Sequence, residues 1–413
     1  MQSKEIIETL KRKANRNFLT ENFEEDPRKL ALNKSLSQDF PVQILSQILH
    51  LYHKAKRKLP TWVDNFWALT PKTYEQSSSE KAALFKSTII KGNRLLNLTG
   101  GLGVDDYYFA KSFKNVVSYD IDPEIHALAK GNFEELTFNN ATGKSVASIE
   151  RRLGSAEQAL DEALDNEYDL VYVDPDRRVE GGKRTFFLEH TQPNLLEIKD
   201  SILKRSPHLL IKASPMLDIK RAVEQLGNVT QVWVVSIRNE VKELLFHLER
   251  DKNENQEARI TAVELHGEPA SYCKANASEQ SAILANDEIK YSYFFEFNAG
   301  LIKARLTNDF ALEHDLKIAY QHGAYAYAES AIGSPFFKTY ELISKLSFNK
   351  KQIRKYLQSH GLLKANVAKR NFPMEVKELR SLLKLKDGGD DSLFFYTDHS
   401  NKKWMVHAKQ MVI

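Results

Sequence analysis

Leu95-Leu96-Asn97-Leu98-Thr99-Gly100-Gly101-Leu102-Gly103-Val104-Asp105 joins a short apolar strand to a glycine-rich turn and the start of a helix. From this point the chain alternates strand and helix. Leu95–Leu98, Asn115–Tyr119, 145–152, Tyr168–Val173, Leu209–Lys212 and Val229–Ser236 read as strands. Helical patterns such as Pro123–Leu136 and Leu188–Arg205 lie between them. Such alternation predicts an α/β fold, a Rossmann-like doubly wound parallel sheet covered on both faces. Val241–Glu249 and Arg259–His266, around the polar run Asp251–Glu257, read as an antiparallel hairpin finishing the sheet.

Before the glycine turn, residues 1–92 read as mostly helical, with Val42, Leu45, Ile48, Leu49 and Tyr52 at helical spacing. Ser77-Ser78-Ser79-Glu80 fits a capping box with Ser77 as the cap. After the sheet, Ala270–Gln280 reads as a linker. Tyr291–Phe297 with a helix at Ala311–Tyr320 suggests a small α+β unit. A helix at Phe372–Leu385 and strands Leu393–Thr397 and Lys403–Ala408 suggest another. The expected division is 1–92 helical, 93–275 Rossmann-like, 276–341 small α+β and 342–413 a last small α+β domain.

Composition narrows the setting. One cysteine, Cys273, excludes an internal disulfide and a cysteine metal cluster, and fits a reducing compartment. Met1–Glu5 opens no apolar stretch and no run of 18 apolar residues occurs, so neither a signal peptide nor a membrane span is expected and the cytoplasm is the expected location. His-Glu-x-x-His is absent and the 12 histidines are scattered, so no metal is expected. The net charge is only +4, but Glu341–Ile413 holds 15 Lys/Arg against 7 Asp/Glu. A basic module on a mildly acidic body suggests an anionic partner; the plainer reading is a solvated lysine-rich surface.

The glycine turn is not a dinucleotide fingerprint. Asp106 stands where a third glycine is needed, and Asp105 and Asp106 would repel a pyrophosphate at a helix start. They suit a ligand carrying positive charge, such as S-adenosylmethionine (SAM), which has a sulfonium and an ammonium and no phosphate. Asp120, ending the second strand, has the placement of a carboxylate that accepts from ribose hydroxyls. The plainer readings are helix capping for Asp105 and Asp106 and a turn for Asp120.

The strand Tyr168–Val173 runs into Asp174-Pro175-Asp176-Arg177-Arg178, which puts Asp174 at the same sheet edge. Pro175 fixes the chain's exit. Asp174 could orient an acceptor or take its proton, or merely end the strand. Arg177 and Arg178, with Lys183, Arg184 and Lys212, suit phosphate, unless one is tied to a local carboxylate such as Asp176. Gly181-Gly182-Lys183-Arg184-Thr185 fails as a P-loop because Arg184 interrupts the Lys-Ser/Thr pair.

Through Asn97–Asp105, Asp120-Ile121-Asp122-Pro123 and Asp174-Pro175 the chain resembles class I SAM-dependent methyltransferases. It is closer to a bacterial group with a ferredoxin-like insert and a C-terminal THUMP-like domain. Glu75–Glu80, Asp174–Arg178, Lys212-Ala213-Ser214-Pro215, Glu240–Leu244, Tyr293–Arg305 and Asn371–Gly389 carry that resemblance. It implies SAM contacts at Thr99, Gly101, Gly103, Asp105 and Asp120. The candidate cofactor set further includes Gln76, Asn97, Gly100, Ile121, Ser155, Ala156 and Asp174, and Asp174, Pro175, Arg177 and Arg178 are the candidate catalytic group. Two positions depart from the common pattern. Ser155 replaces the acidic residue that holds adenine, and Arg177 replaces the aromatic residue of many base-amine methyltransferases. The resemblance implies an RNA substrate, tRNA or rRNA. Methylation of a protein or small molecule, and a non-catalytic RNA-binding protein of the same fold, are the alternatives. The sequence specifies no oligomeric state.

Overall fold

The computed structural model describes residues 3–33, 35–139, 148–177, 179–180, 183–184, 188–253, 256–274, 282–286 and 290–412, with 135–139, 177, 179–180 and 183–184 described by backbone alone. The chain forms two compact units, Met1–Thr230 with Leu245–Ala258, and Gln231–Leu244 with Arg259–Ile413.

The first unit is built on strands β1 (Gly92–Asn97), β2 (Phe113–Asp120), β3 (Ser148–Leu153), β4 (Leu170–Val173) and β5 (His208–Ala213), all paired in parallel. The chain continues through β6 (Val229–Ile237) and β7 (Glu240–Glu249), and the strand order is β3-β2-β1-β4-β5-β7-β6. The order reverses between β1 and β4, so the loops after these two strands line the switch point where ligands bind in open α/β sheets. β4 is buried throughout, as a central parallel strand covered on both faces must be.

The N-terminal helices share a core with this sheet's covering helices. Leu45, Ile48, Leu49, Tyr52 and Trp62 pack in one cluster with Leu102, Val104, Tyr108 and Leu128. Residue 92 therefore marks a change of pattern within one compact unit. The cap of helix Glu80–Ile89 is Ser79, which accepts from the Ala82 amide, where Ser77 was expected. Glu80 is instead buried and accepts from the Thr61 amide and hydroxyl and from the Tyr108 hydroxyl. The expected helix Leu188–Arg205 begins only at Leu195, capped by Asn194, because Thr191–Gln192 pairs with Asp176–Arg177.

β6 and β7 are joined by Arg238-Asn239, both at positive φ, which suits a two-residue hairpin turn. The hairpin expected between 241–249 and 259–266 does not form. In the second unit β8 (Arg259–Glu264) pairs in parallel with β6, and β9 (Ala270–Cys273), from the expected linker, pairs antiparallel with β8.

The second unit also holds a seven-stranded sheet. Its strands are β10 (Tyr293–Phe297), β11 (Lys317–Ile318), β12 (Tyr325–Ala328), β13 (Phe337–Ser347), β14 (Asn366–Arg370), β15 (Asp391–Thr397) and β16 (Lys403–Gln410), in the order β11-β12-β10-β13-β16-β15-β14. Both faces are covered. Phe394, Tyr396, Trp404 and Val406 enter one core, and their neighbours Leu393, Phe395 and Met405 enter another with Ile353, Leu357 and Leu379. The expected boundary at 341/342 falls inside β13, so the two expected small domains share one sheet. The helix expected at Ala311–Tyr320 stops at Glu313, where Asp315 takes a positive φ and β11 follows. The expected boundary at 275/276 lies outside the described residues.

Candidate active site

The loops after β1, β2 and β4 meet at the switch point and are tied together by short hydrogen bonds. Asn97 ends β1, and its side-chain oxygen accepts from the Thr99 amide at 3.0 Å. The Thr99 hydroxyl accepts from the Asp174 amide at 2.6 Å, which links the glycine turn to the exit of β4. Asp120 accepts from the Gly101 amide at 2.6 Å and from the Asp122 amide at 2.8 Å. Thr99, Gly101, Asp120 and Asp174 are thus brought to one edge.

The turn's glycines serve different ends. A Cβ on Gly100 would lie 1.9 Å from Arg151 Nη1, so that position admits no side chain. Gly101 has φ +52° and nothing within 4 Å of a would-be Cβ, so open space lies above its backbone. Gly103 precedes helix Val104–Phe109 and faces the Phe133 ring.

Neither Asp105 nor Asp106 caps that helix. Each is the centre of a buried polar cluster. Asp105 pairs with Lys86 Nζ at 3.0 Å and accepts from the Tyr172 and Ser78 hydroxyls, both at 2.9 Å. Burial pushes this carboxyl up, but Lys86, Lys212 and the hydrogen bonds outweigh it and hold it below the usual range. Asp106 meets Arg151 at 2.7 Å, Asn97 at 2.6 Å and Ser118 at 2.7 Å, all out of solvent. Burial dominates there and raises its pKa. Arg151 Nη2 also donates to the Gly101 carbonyl at 2.9 Å, so this ion pair braces the glycine turn from behind.

At the rim, Lys72 donates to Asp122 at 2.9 Å, a hydrogen bond that raises the lysine and lowers the carboxyl. Lys212, next to the last residue of β5, pairs with Asp174. Asp176 is exposed but crowded; partial desolvation, then Asp174 and Asp120, raise its pKa. Pro175 is half-buried between these acids. The Arg177 backbone pairs with Thr191, while its side chain and all of Arg178 lie outside the described residues.

The remaining candidates are spread around this edge. Ile121 is 65% exposed, an apolar side chain directly after Asp120. Gln76 is exposed at the end of helix Pro71–Gln76, two residues before Ser78. The Ser155 hydroxyl caps helix Ala156–Glu162 by accepting from the Gln158 amide, and the Ala156 side chain is buried. Sequence reasoning missed Ser78, Lys86, Tyr172 and Arg151. The available signal was that two adjacent carboxylates on a buried helix need cations from elsewhere.

Residues 337–410 match the family model described as THUMP domain-like. An uncharacterized SAM-dependent methyltransferase of Mycobacterium tuberculosis is 21% identical over 332 residues, covering 78% of this chain and 82% of the relative. The crystal structure of a putative methyltransferase from Porphyromonas gingivalis W83 superposes with a TM-score of 0.80 at 23% identity, covering 100% of both chains. No described helix is long and apolar enough to cross a membrane. The chain is thus similar to SAM-dependent methyltransferases over most of its length, shares the fold of a putative methyltransferase, and matches a THUMP-like domain at residues 337–410.

Proposed function

We propose that this chain is a SAM-dependent methyltransferase acting on structured RNA in the cytoplasm, with the cofactor on the glycine turn and the acceptor at Asp174. The observation that carries the site is the convergence of Thr99, Gly101, Asp120 and Asp174 at the switch point, with open space above Gly101.

The residues fit the cofactor. Asp120 uses its two oxygens on backbone amides but keeps lone pairs for ribose hydroxyls. Ile121 offers apolar surface to an adenine face, next to the Ser155–Ala156 turn. Thr99 and Gly101 stand at the approach, the buried Asn97 anchors Thr99 from beneath, and Asp105 holds Ser78, two residues beyond Gln76. When bound, SAM supplies an electrophilic methyl group on a positively charged sulfur. The acidic edge of Asp120, Asp174 and Asp176 favours that charge.

Asp174 is the acceptor-side group. Lys212 and the Thr99 bridge hold it in place, and Pro175 fixes the backbone beyond it. Its carboxylate orients the acceptor's nitrogen or oxygen and takes the proton released on methylation. Arg177 and Arg178 meet phosphate beside the target. The RNA reading rests on the THUMP-like match and on the basic excess after residue 340.

Mass spectrometry of nucleosides from a deletion strain tests the activity, and a modified nucleoside missing from that strain is the expected result. A salt series tests the docking surface. Neutralising the exposed Lys402 and Lys403 should lower the slope of log affinity against log salt by up to about two units, if both meet phosphates. RNA binding that ignores both salt and these lysines would move the substrate to a protein or small molecule.

A further inference from the structure

The first unit carries a second group of chemistry-bearing side chains at the edge of its sheet opposite the glycine turn. His208 opens β5, while the turn follows the end of the parallel strand β1. His247 and Glu249 lie two residues apart on β7, the neighbour of β5, and this spacing puts them on one face. His247 Nε2 stands 3.1 Å from His208 Nδ1, and His247 Nδ1 stands 3.6 Å from Glu249 Oε1. One ligand atom from each residue lies within 4.8 Å of the others.

We propose that His208, His247 and Glu249 form a binding site for a divalent transition metal of the zinc type. Imidazole nitrogen and carboxylate oxygen are zinc's ordinary ligands, at about 2.0–2.2 Å. Two ligands of a tetrahedral ion at that range stand about 3.3 Å apart, close to the His208–His247 separation. The scaffold is rigid, because two adjacent strands supply all three side chains. The site also has a supporting contact of the kind that orients metal ligands: the Thr230 hydroxyl, on β6, donates to Glu249 Oε1 at 3.1 Å. His247 is buried, and its two ring nitrogens face His208 and Glu249. Glu249 is only partly buried, so the ion can enter and a water can complete the coordination. The strand ends, not the methyl-transfer edge, carry this site, so its metal is structural and pins β7 to the start of β5. No compact motif announces it, since His208 stands 39 residues from His247 in the chain.

Metal-stripped full-length protein titrated with Zn²⁺ by calorimetry, and with Co²⁺ by visible absorption, reads the site directly. The expected result is one ion per chain, a raised melting temperature with Zn²⁺, and the intense absorption of four-coordinate Co²⁺. His208→Gln and Glu249→Gln, both at partly exposed positions, should each weaken Zn²⁺ at least tenfold with unchanged circular dichroism. Thr230→Val should weaken it about ten- to a hundredfold. His399→Gln, on an exposed residue of the second unit, should leave it unchanged. Absence of saturable uptake, or equal affinity in the His208 and Glu249 variants, would reduce the trio to hydrogen-bonded imidazoles and overturn the proposal.

Discussion

Replacing Lys86 with Met removes the cation from a cluster that is otherwise intact. Lys86 is fully buried, its ammonium lies 3.0 Å from Asp105, and it donates to Ser78 at 2.8 Å. The Asp105 carboxylate then keeps its hydroxyl donors, Tyr172 and Ser78, but loses its balancing charge. Breaking a buried pair in this way costs about 3–5 kcal/mol. The pH dependence identifies the cause. In the native protein the Asp105 pKa is depressed, so its contribution is present above the unfolded value near 3.9 and fades as pH falls through the folded value. Without Lys86, burial raises the carboxyl instead. On top of that lost contribution, the penalty of the unpaired carboxylate is small below about pH 4, where the variant's Asp105 is largely protonated whether folded or unfolded, and grows as pH rises toward the new folded value. Urea unfolding at several pH values, followed by tryptophan fluorescence, measures this, because Trp62 and Trp67 sit in the first unit's core. A loss of stability that is the same at pH 4 and pH 7 would refute the ion-pair account and leave only a packing defect.

Three further outcomes follow from the site. Asp120→Ala should weaken SAM binding about ten- to a hundredfold, since hydrogen bonds to a charged acceptor are worth roughly 1.5–3 kcal/mol, and calorimetry with unchanged affinity would remove Asp120 from the cofactor set. Asp174→Ala should abolish methyl transfer in a single-turnover assay while SAM affinity stays within a few fold; retained turnover would make the residue structural. Gly100→Ala should unfold the turn by displacing Arg151 from Asp106, whereas Gly101→Ala should cost only about 1–2 kcal/mol in stability and chiefly impair SAM binding. Thermal melts beside cofactor titrations separate those two effects, and a Gly101 variant with full SAM affinity would clear the space above it of ligand.

Truncation is a poor probe of the basic module, for a reason visible only in the fold. β13 pairs with β16 from Tyr340–Gln410 to Ser347–Trp404, so cutting after Glu341 would expose half of a buried sheet. Charge neutralisation at Lys402 and Lys403 leaves that pairing intact.

The α/β alternation, the glycine turn after β1, Asp120 at the end of β2 and Asp174 after β4 were all legible in the sequence. Each depends on local signals: apolar runs of strand length, glycines between strand and helix, and acids at strand ends. The sequence also carried the class of the fold and the basic excess of the last residues. Long-range pairing was not legible. The Arg259–Glu264 strand could equally have closed a hairpin with β7; it lies parallel beside β6 because β5 and β6 already occupy both edges of β7. The same limit hid the roles of Asp105 and Asp106. Their side chains look like helix caps in one dimension, but burial obliges each to find a cation, and Lys86 and Arg151 come from 19 and 45 residues away. Tertiary structure alone decided those partners, because a charge removed from water is satisfied by whatever the fold brings within about 3 Å, at any distance along the chain.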